Sequence, residues 1–286
     1  MIVDLIDGTY ELFRYHFAMG KDGSRTAATR GVLGGVVSLL ERGTTHIGVA
    51  TDHIIESFRN DLWSRYKTSA GMPEELLAQF PVIEAALTAL GVTVWPMVEW
   101  EADDALASAA AALRADPAVE QVRIHTVDKD LAQCVVGARV VQIDRRKDLV
   151  LDEPGVVEKY GIAPESIPDW LALVGDSADG FPGIPGWGKS TSSTVLARYR
   201  HLEQIPVDGL QWDVRVRGQV ALAKTLVENL KLVLLFRDLA TLRTEPPVVD
   251  SVDTLRWTGP RPEFVKIAQQ VGAHTLVARA DKLASR

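Results

Sequence analysis

Nine carboxylates recur along the first 179 of 286 residues, most of them where an apolar run gives way to a turn. They are Asp7, Asp52, Glu101, Asp103, Asp104, Asp128, Asp130, Asp176 and Asp179. Gathering ionised carboxylates in one fold is unfavourable unless a cation compensates them, because repulsion and desolvation both penalise the charged form. Oxygen donors of this kind suit hard divalent ions, Mg²⁺ or Mn²⁺. His16, His46, His53, His125, His201 and His274 have no metal-ligand spacing, and Cys134 stands alone, so neither a zinc site nor an internal disulfide is expected. Taken singly, a strand-end Asp is most often a helix cap or turn residue, and Asp103 and Asp104 read as first-turn acids favoured by the helix dipole. The grouping points further. Glu101-x-Asp103-Asp104, Asp128-Lys129-Asp130 and Asp176-x-x-Asp179 each project several oxygens from one corner. With the two strand-end aspartates they supply enough oxygens for two octahedral ions, the arrangement that hydrolyses phosphodiesters.

The elements that must position these groups alternate. Ile2–Ile6 reads as a buried strand delivering Asp7, His46–Ala50 as one delivering Asp52, Val92–Val98 as a third leading to Glu101, and Val122–Val127 as a fourth delivering Asp128. Helices are predicted over Thr26–Leu40, from Pro73 to Leu90 on the spacing of Leu76, Leu77, Phe80, Ile83, Leu87 and Leu90, and over Asp103–Arg114. Strands alternating with helices predict an α/β fold with a mostly parallel sheet. Ligands bind outside the carboxyl ends of such strands, so Asp7, Asp52, Glu101 and Asp128 are expected to converge. Beyond Val150 the pattern is read as wholly helical, at Glu153–Tyr160, Pro168–Val174, Thr191–Arg198, Gly218–Leu239 and Arg261–Val271. Pro246–Asp250 reads as a linker. The expected division is a core over 1–150, a helical region over 151–245 and a small helical annex over 246–286.

Net charge is −7, yet setting the nine carboxylates aside leaves the rest at +2, so the global balance does not exclude a nucleic-acid partner. No apolar stretch approaches the roughly 20 residues that span a bilayer, and the amino terminus is too short and acidic for a signal peptide. No membrane partner and a cytoplasmic location are the resulting expectations, and a lone cysteine suits a reducing compartment. Gly183-Ile-Pro-Gly-Trp-Gly-Lys-Ser190 fits the phosphate-binding-loop pattern of nucleotide hydrolases. Such a loop must follow a buried strand, whereas Gly175-Asp-Ser-Ala-Asp-Gly-Phe-Pro precedes it here. No nucleotide cofactor is therefore expected. A glycine-rich turn between helices instead offers backbone N–H groups to a DNA phosphate.

These motifs together resemble the bacterial and phage 5′-nucleases, which include the 5′→3′ exonuclease domain of DNA polymerase I and the flap endonucleases. Val98-Glu-Trp-Glu-Ala-Asp-Asp-Ala-Leu-Ala is similar to that family's acidic helix start, and Thr126-Val-Asp-Lys-Asp-Leu to its second acidic motif. Gly175-Asp-Ser-Ala-Asp-Gly-Phe-Pro-Gly-Ile-Pro-Gly-Trp-Gly resembles the third, running into a helix–three-turn–helix element. Asp7-Gly, Asp52, Ser57-Phe-Arg59 and Tyr66-Lys67 complete the likeness, which covers roughly residues 1–240 in order.

The resemblance implies a PIN-like core with a helical arch over about 57–91 and a helix–three-turn–helix over about 170–198. It implies Asp7, Asp52, Glu101, Asp103 and Asp104 around one metal ion, and Asp128, Asp130, Asp176 and Asp179 around a second. Arg14, Arg59 and Lys67 match basic positions near the scissile phosphate. Tyr66, and Trp63 unless it is core, are placed to stack on a splayed base. Gly183, Gly186, Gly188, Lys189, Ser190 and Thr191 are the expected phosphate contacts of the hairpin, with K⁺ held by its carbonyls. Lys189 directly follows Gly188, one position earlier than in the family, which moves the expected contact to Ser190 or Thr191. The implied activity is two-metal cleavage of DNA with 5′ flaps, 5′ ends or RNA primers, by a monomer, in replication and repair. A catalytically silent binder of branched DNA is the alternative.

Overall fold

Four apolar runs, each closed by a polar turn, become four parallel strands. In the computed structural model, which describes residues 1–19 and 25–285, these are β1 (Ile2–Asp7), β2 (His46–Asp52), β3 (Thr93–Met97) and β4 (Gln121–His125). They lie in the order β3-β2-β1-β4, with Asp7 opposite Ala50, Asp52 opposite Met97 and Ile6 opposite His125. Parallel pairing puts the carboxyl ends of the strands on one edge, so Asp7 and Asp52 close neighbouring strands there. Both are the last residues of their strands rather than lying just past them.

The chain divides into two units, which are discontinuous in sequence. The first is made of residues 1–57, 69–126 and 243–286, and the second of 58–68 and 127–242. The expected division near 150 falls inside the second unit. There β5 (Val140–Asp144) and β6 (Leu149–Leu151) pair antiparallel, a hairpin the sequence reading did not contain, and the elements beyond Leu151 are helical.

In the first unit, helices Ala27–Glu41 and Gln79–Ala89 bury Val32, Leu33, Val36 and Val37, and Phe80, Ile83 and Leu87. Phe264, Ala268, Leu276 and Ala280, from helices Phe264–Gln270 and Thr275–Ala284, belong to the same core cluster. The expected annex over 246–286 is thus part of that unit's core. Asp4 sits buried in the middle of β1, where Oδ1 lies 2.7 Å from His125 Nε2 and Oδ2 accepts from the Thr44 hydroxyl at 2.8 Å. Burial works to raise its pKa, but His125 and Thr44 outweigh it and hold the carboxyl below its usual range.

The expected helical arch over about 57–91 is not a single helical element. Residues Glu74–Leu77 and Gln79–Ala89 form two helices of the first unit, interrupted at Ala78, and the second carries core residues. The remainder contains one short helix, Arg59–Leu62, and 58–68 belongs to the second unit. Local apolar spacing decides this: Phe80, Ile83 and Leu87 are fully buried, which a free-standing arch helix would not allow.

The second unit is built on helices Glu153–Tyr160, Ile167–Val174, Lys189–Tyr199, Gln219–Glu228 and Leu230–Ala240. The predicted helix over Gly218–Leu239 divides at Asn229, which ends one helix and caps the next. Phe181 stacks on Phe236 with ring centres 5.5 Å apart, and Trp63 meets Phe236 edge-on at 5.2 Å.

Candidate metal centre

In the first unit the carboxylates are held by backbone amides at the starts of helices. Asp7 precedes helix Gly8–Met19 and accepts from Tyr10 N at 2.8 Å, an N-cap bond, while its other oxygen accepts from the Thr126 hydroxyl at 2.8 Å. Asp52 Oδ1 accepts from Ala102 N at 2.6 Å, at the start of helix Ala102–Ala115. Glu101 and Asp104 form a reciprocal capping box on that helix. Glu101 Oε1 also accepts from the Ser57 hydroxyl at 2.6 Å. Asp7, Asp52 and Glu101 are buried, and a carboxylate offers about four lone-pair sites in all. Asp103 is half-buried in the first turn.

Asp104 is fully buried, Oδ2 accepts from Glu101 N at 3.0 Å, and Oδ1 accepts from Arg243 N at 2.8 Å. Both oxygens accept from backbone amides, so Asp104 caps the helix. This does not take it out of the expected ligand set, since each carboxylate oxygen has two lone pairs and both oxygens of Asp7 are likewise hydrogen-bonded.

In the second unit the turn between helices Ile167–Val174 and Lys189–Tyr199 supplies two acids, and the segment after β4 supplies two more. Asp176 and Phe181 exchange backbone hydrogen bonds at 2.8 and 3.0 Å, closing a loop that carries Asp179. Gly180 makes that loop possible: it has φ +82°, and a Cβ there would lie 2.1 Å from the Arg65 carbonyl oxygen. Oxygens of Asp130, Asp176 and Asp179 lie within 4.8 Å of one another, the one such trio found among the described residues. Asp130 is buried and its Oδ1 has no hydrogen-bond partner. Burial first, then Asp128, Asp179 and Asp176, push its pKa well above the usual carboxylate value. Asp128 is exposed and its Oδ1 accepts from Asp130 N at 3.1 Å. An orphaned, buried carboxylate oxygen among other acids fits a hard divalent cation, which would satisfy the oxygen and cancel the repulsion.

Two lysines attend the trio. Lys67 Nζ is 3.6 Å from Asp179 Oδ1, and its amide donates to the Asp179 carbonyl at 3.0 Å. Lys129 Nζ is 2.5 Å from Asp176 Oδ2. Lys129 had no role in the sequence reading, although its place between two site acids was the signal.

Arg59 and Tyr66 depart from expectation. Arg59 is 1% exposed, and its guanidinium donates to the Leu239 carbonyl at 2.8 Å and the Thr241 carbonyl at 3.1 Å. Its expected phosphate contact is therefore corrected to a structural role, tying residues 239–241 to the 58–68 segment. Tyr66 is a buried member of the second unit's core and not a stacking platform. Trp63 takes the core alternative, its indole donating to the Gly180 carbonyl at 3.1 Å. Arg14 lies on helix Gly8–Met19, 2.5 Å from Glu11.

In the hairpin, Gly183 has φ +70° and a Cβ there would meet the Leu173 carbonyl oxygen at 2.4 Å, so this glycine closes the turn. Gly186, Gly188, Lys189 and Ser190 are exposed at the start of an eleven-residue helix, and Thr191 is half-buried. The segment matching the nucleotide-hydrolase pattern follows the Asp176–Phe181 bridge, not a parallel strand, which removes the structural context of that reading. No helix among the described residues is long and apolar enough to cross a membrane.

The family model for the 5′-3′ exonuclease N-terminal resolvase-like domain matches residues 3–161, and that for the 5′-3′ exonuclease C-terminal SAM fold matches 162–263. DNA polymerase I of Rhizobium leguminosarum is 34% identical over 265 residues, covering 88% of this chain and 25% of the relative. DNA polymerase I of Bacillus subtilis is 32% identical over 285 residues, covering 96% of this chain and 32% of the relative. The chain thus spans about a quarter to a third of the length of these curated relatives. Among solved structures, T5 5′-exonuclease with bound divalent zinc ions superposes with a TM-score of 0.68 at 15% identity, over 95% of this chain and 98% of that one. Flap endonuclease-1 from Methanococcus jannaschii gives 0.61 at 18% identity, over 99% and 91%. At such identities these two likenesses concern the fold.

Proposed function

The chain belongs to the 5′-3′ exonuclease family, and from that premise we propose that it hydrolyses phosphodiester bonds in DNA at 5′ flaps and 5′ ends, using two or more divalent ions, Mg²⁺ or Mn²⁺. The observation that carries the reading is Asp130, a buried carboxylate with an unpartnered oxygen gathered with Asp176 and Asp179. Asp128, Asp130, Asp176 and Asp179 would hold one ion, and Asp7, Asp52, Glu101, Asp103 and Asp104 the other. Bound ions of this kind supply a hydroxide at neutral pH and neutralise charge on the phosphate.

The chain's own residues do the rest. Lys67 stands at the corner of the acidic trio, where a fixed cation stabilises charge developing on phosphate oxygens. Arg14, paired with Glu11 on helix Gly8–Met19, is a further proposed cation for the phosphate. The exposed start of helix Lys189–Tyr199, with Gly183, Gly186, Gly188, Ser190 and Thr191, presents N–H and hydroxyl donors to a backbone phosphate without reading bases. Carbonyls of the same turn are the proposed K⁺ ligands. Kinship with DNA polymerase I supports a role in primer and flap removal during replication and repair. A monomer acting in the cytoplasm is part of the same proposal.

A 5′-flap duplex labelled on the flap strand, incubated with Mg²⁺ or Mn²⁺ and an EDTA control, tests the reading. Products at the flap junction that vanish with EDTA are expected. Tight binding with no cleavage in either metal would replace it with the silent binding module. Lys67→Ala is expected to slow single-turnover cleavage at saturating metal by roughly 10²-fold or more. An unaltered rate removes Lys67 from the reaction.

A further inference from the structure

Lys129 lies between two acids of the metal set, and its ammonium touches Asp176 Oδ2 at 2.5 Å while the other oxygen, Oδ1, accepts from Ala178 N at 3.0 Å. The ammonium therefore sits against a carboxylate that, on the reading above, belongs to a divalent ion. Asp128 and Asp130 flank Lys129 in sequence. Beside this contact lies a cavity of about 290 Å³, lined by Lys129, Ser177, Phe181, Trp170 and Lys189. It offers the side chain a second place to go, next to another cation.

We infer that Lys129 is a built-in counter-ion for Asp176, displaced when a divalent ion binds the acidic trio, and that its released ammonium turns into the adjoining cavity beside Lys189. An ammonium 2.5 Å from a carboxylate that also holds a divalent ion places two cations within a few ångströms of each other, and their repulsion favours release of the ammonium. The ion and the ammonium are thus linked competitors, and by reciprocity each weakens the other. Metal occupancy is converted into a rearranged positive charge within the second unit. The metal-free protein is spared part of the repulsion among Asp128, Asp130, Asp176 and Asp179.

The inference rests on the trio being a metal site, and the test keeps the two apart. Wild-type protein, metal-free and saturated with Ca²⁺, is treated briefly with an amine-acylating reagent, and modification of Lys129 is read by peptide mass spectrometry against the exposed Lys147. The expected result is slow acylation of Lys129 without metal and a severalfold rise with Ca²⁺, at constant Lys147 labelling. Unchanged or slower Lys129 labelling with demonstrated Ca²⁺ binding overturns the inference and leaves the metal site standing. Failure of the wild-type protein to bind Ca²⁺ or Mn²⁺ at all overturns both. In a calorimetric titration, Lys129→Met is expected to bind Mn²⁺ about fivefold tighter or better, with Lys129→Arg close to wild type. Equal or weaker binding by Lys129→Met counts against displacement.

Discussion

At the scale of single residues, the sequence announces which side chains are unusual but not what each is for. Asp103 and Asp104 stand side by side in one first turn, and the chain alone gives them the same role. The structure separates them, since Asp104 spends both oxygens on the amides of Glu101 and Arg243. Asp104→Ala is therefore expected to cost about 1–2 kcal/mol of stability by urea denaturation, as a lost cap does. An unchanged urea midpoint would remove the capping role. Arg59 was legible as a cation in a basic, aromatic stretch, and its burial was not, because the carbonyls that hold it come from residues 239 and 241. Removing a buried, hydrogen-bonded guanidinium leaves those carbonyls unpaired. Arg59→Met is expected to lower unfolding free energy by about 2–4 kcal/mol, and to do so equally with and without metal.

At the scale of elements, legibility followed periodicity. The four parallel strands and the helices over 27–41 and 102–115 were readable because burial on both sheet faces, and one apolar helix face, leave regular patterns. Helix Gly8–Met19 was missed because its start is set by Asp7, which the metal reading had already claimed. The hairpin of β5 and β6 was missed because Asp144 to Asp148 is a charged run whose turn is fixed locally, with Arg146 N bonded to Asp144 Oδ1 at 2.9 Å. The loop carrying Asp179 makes the sharpest demand on its backbone. A Cβ on Gly180 meets the Arg65 carbonyl oxygen in a left-handed conformation, so Gly180→Ala is expected to destabilise the protein by about 1–3 kcal/mol. The same change should weaken divalent-ion binding, because Asp179 and the Lys67 amide are held by that turn. Denaturant melts and metal titrations on one preparation check both; full affinity in a destabilised variant would uncouple the turn from the site.

At the scale of the whole molecule, the acidic trio ties stability to pH. Unfolded Asp130 titrates near its ordinary value of 3.8, and folded Asp130 well above it, through burial and the charges of Asp128, Asp179 and Asp176. The folded state thus holds the proton more tightly, and this group makes the metal-free protein less stable as pH rises from about 4 through the raised value. A bound divalent ion favours the ionised form and removes that slope. Melting temperature is expected to fall with pH over this window without metal, to hold or rise with Ca²⁺, and to lose the metal-free slope in Asp130→Asn. A metal-free slope unchanged by that substitution would assign the dependence elsewhere. The path of the chain has a separate consequence. The second unit is complete once residue 242 has been joined, whereas the first still lacks Phe264, Ala268, Leu276 and Ala280 from its core. Vectorial synthesis on the ribosome is therefore expected to complete the core of the second unit before that of the first. The strands bearing Asp7 and Asp52 would then wait, with apolar surface uncovered, for helices Phe264–Gln270 and Thr275–Ala284.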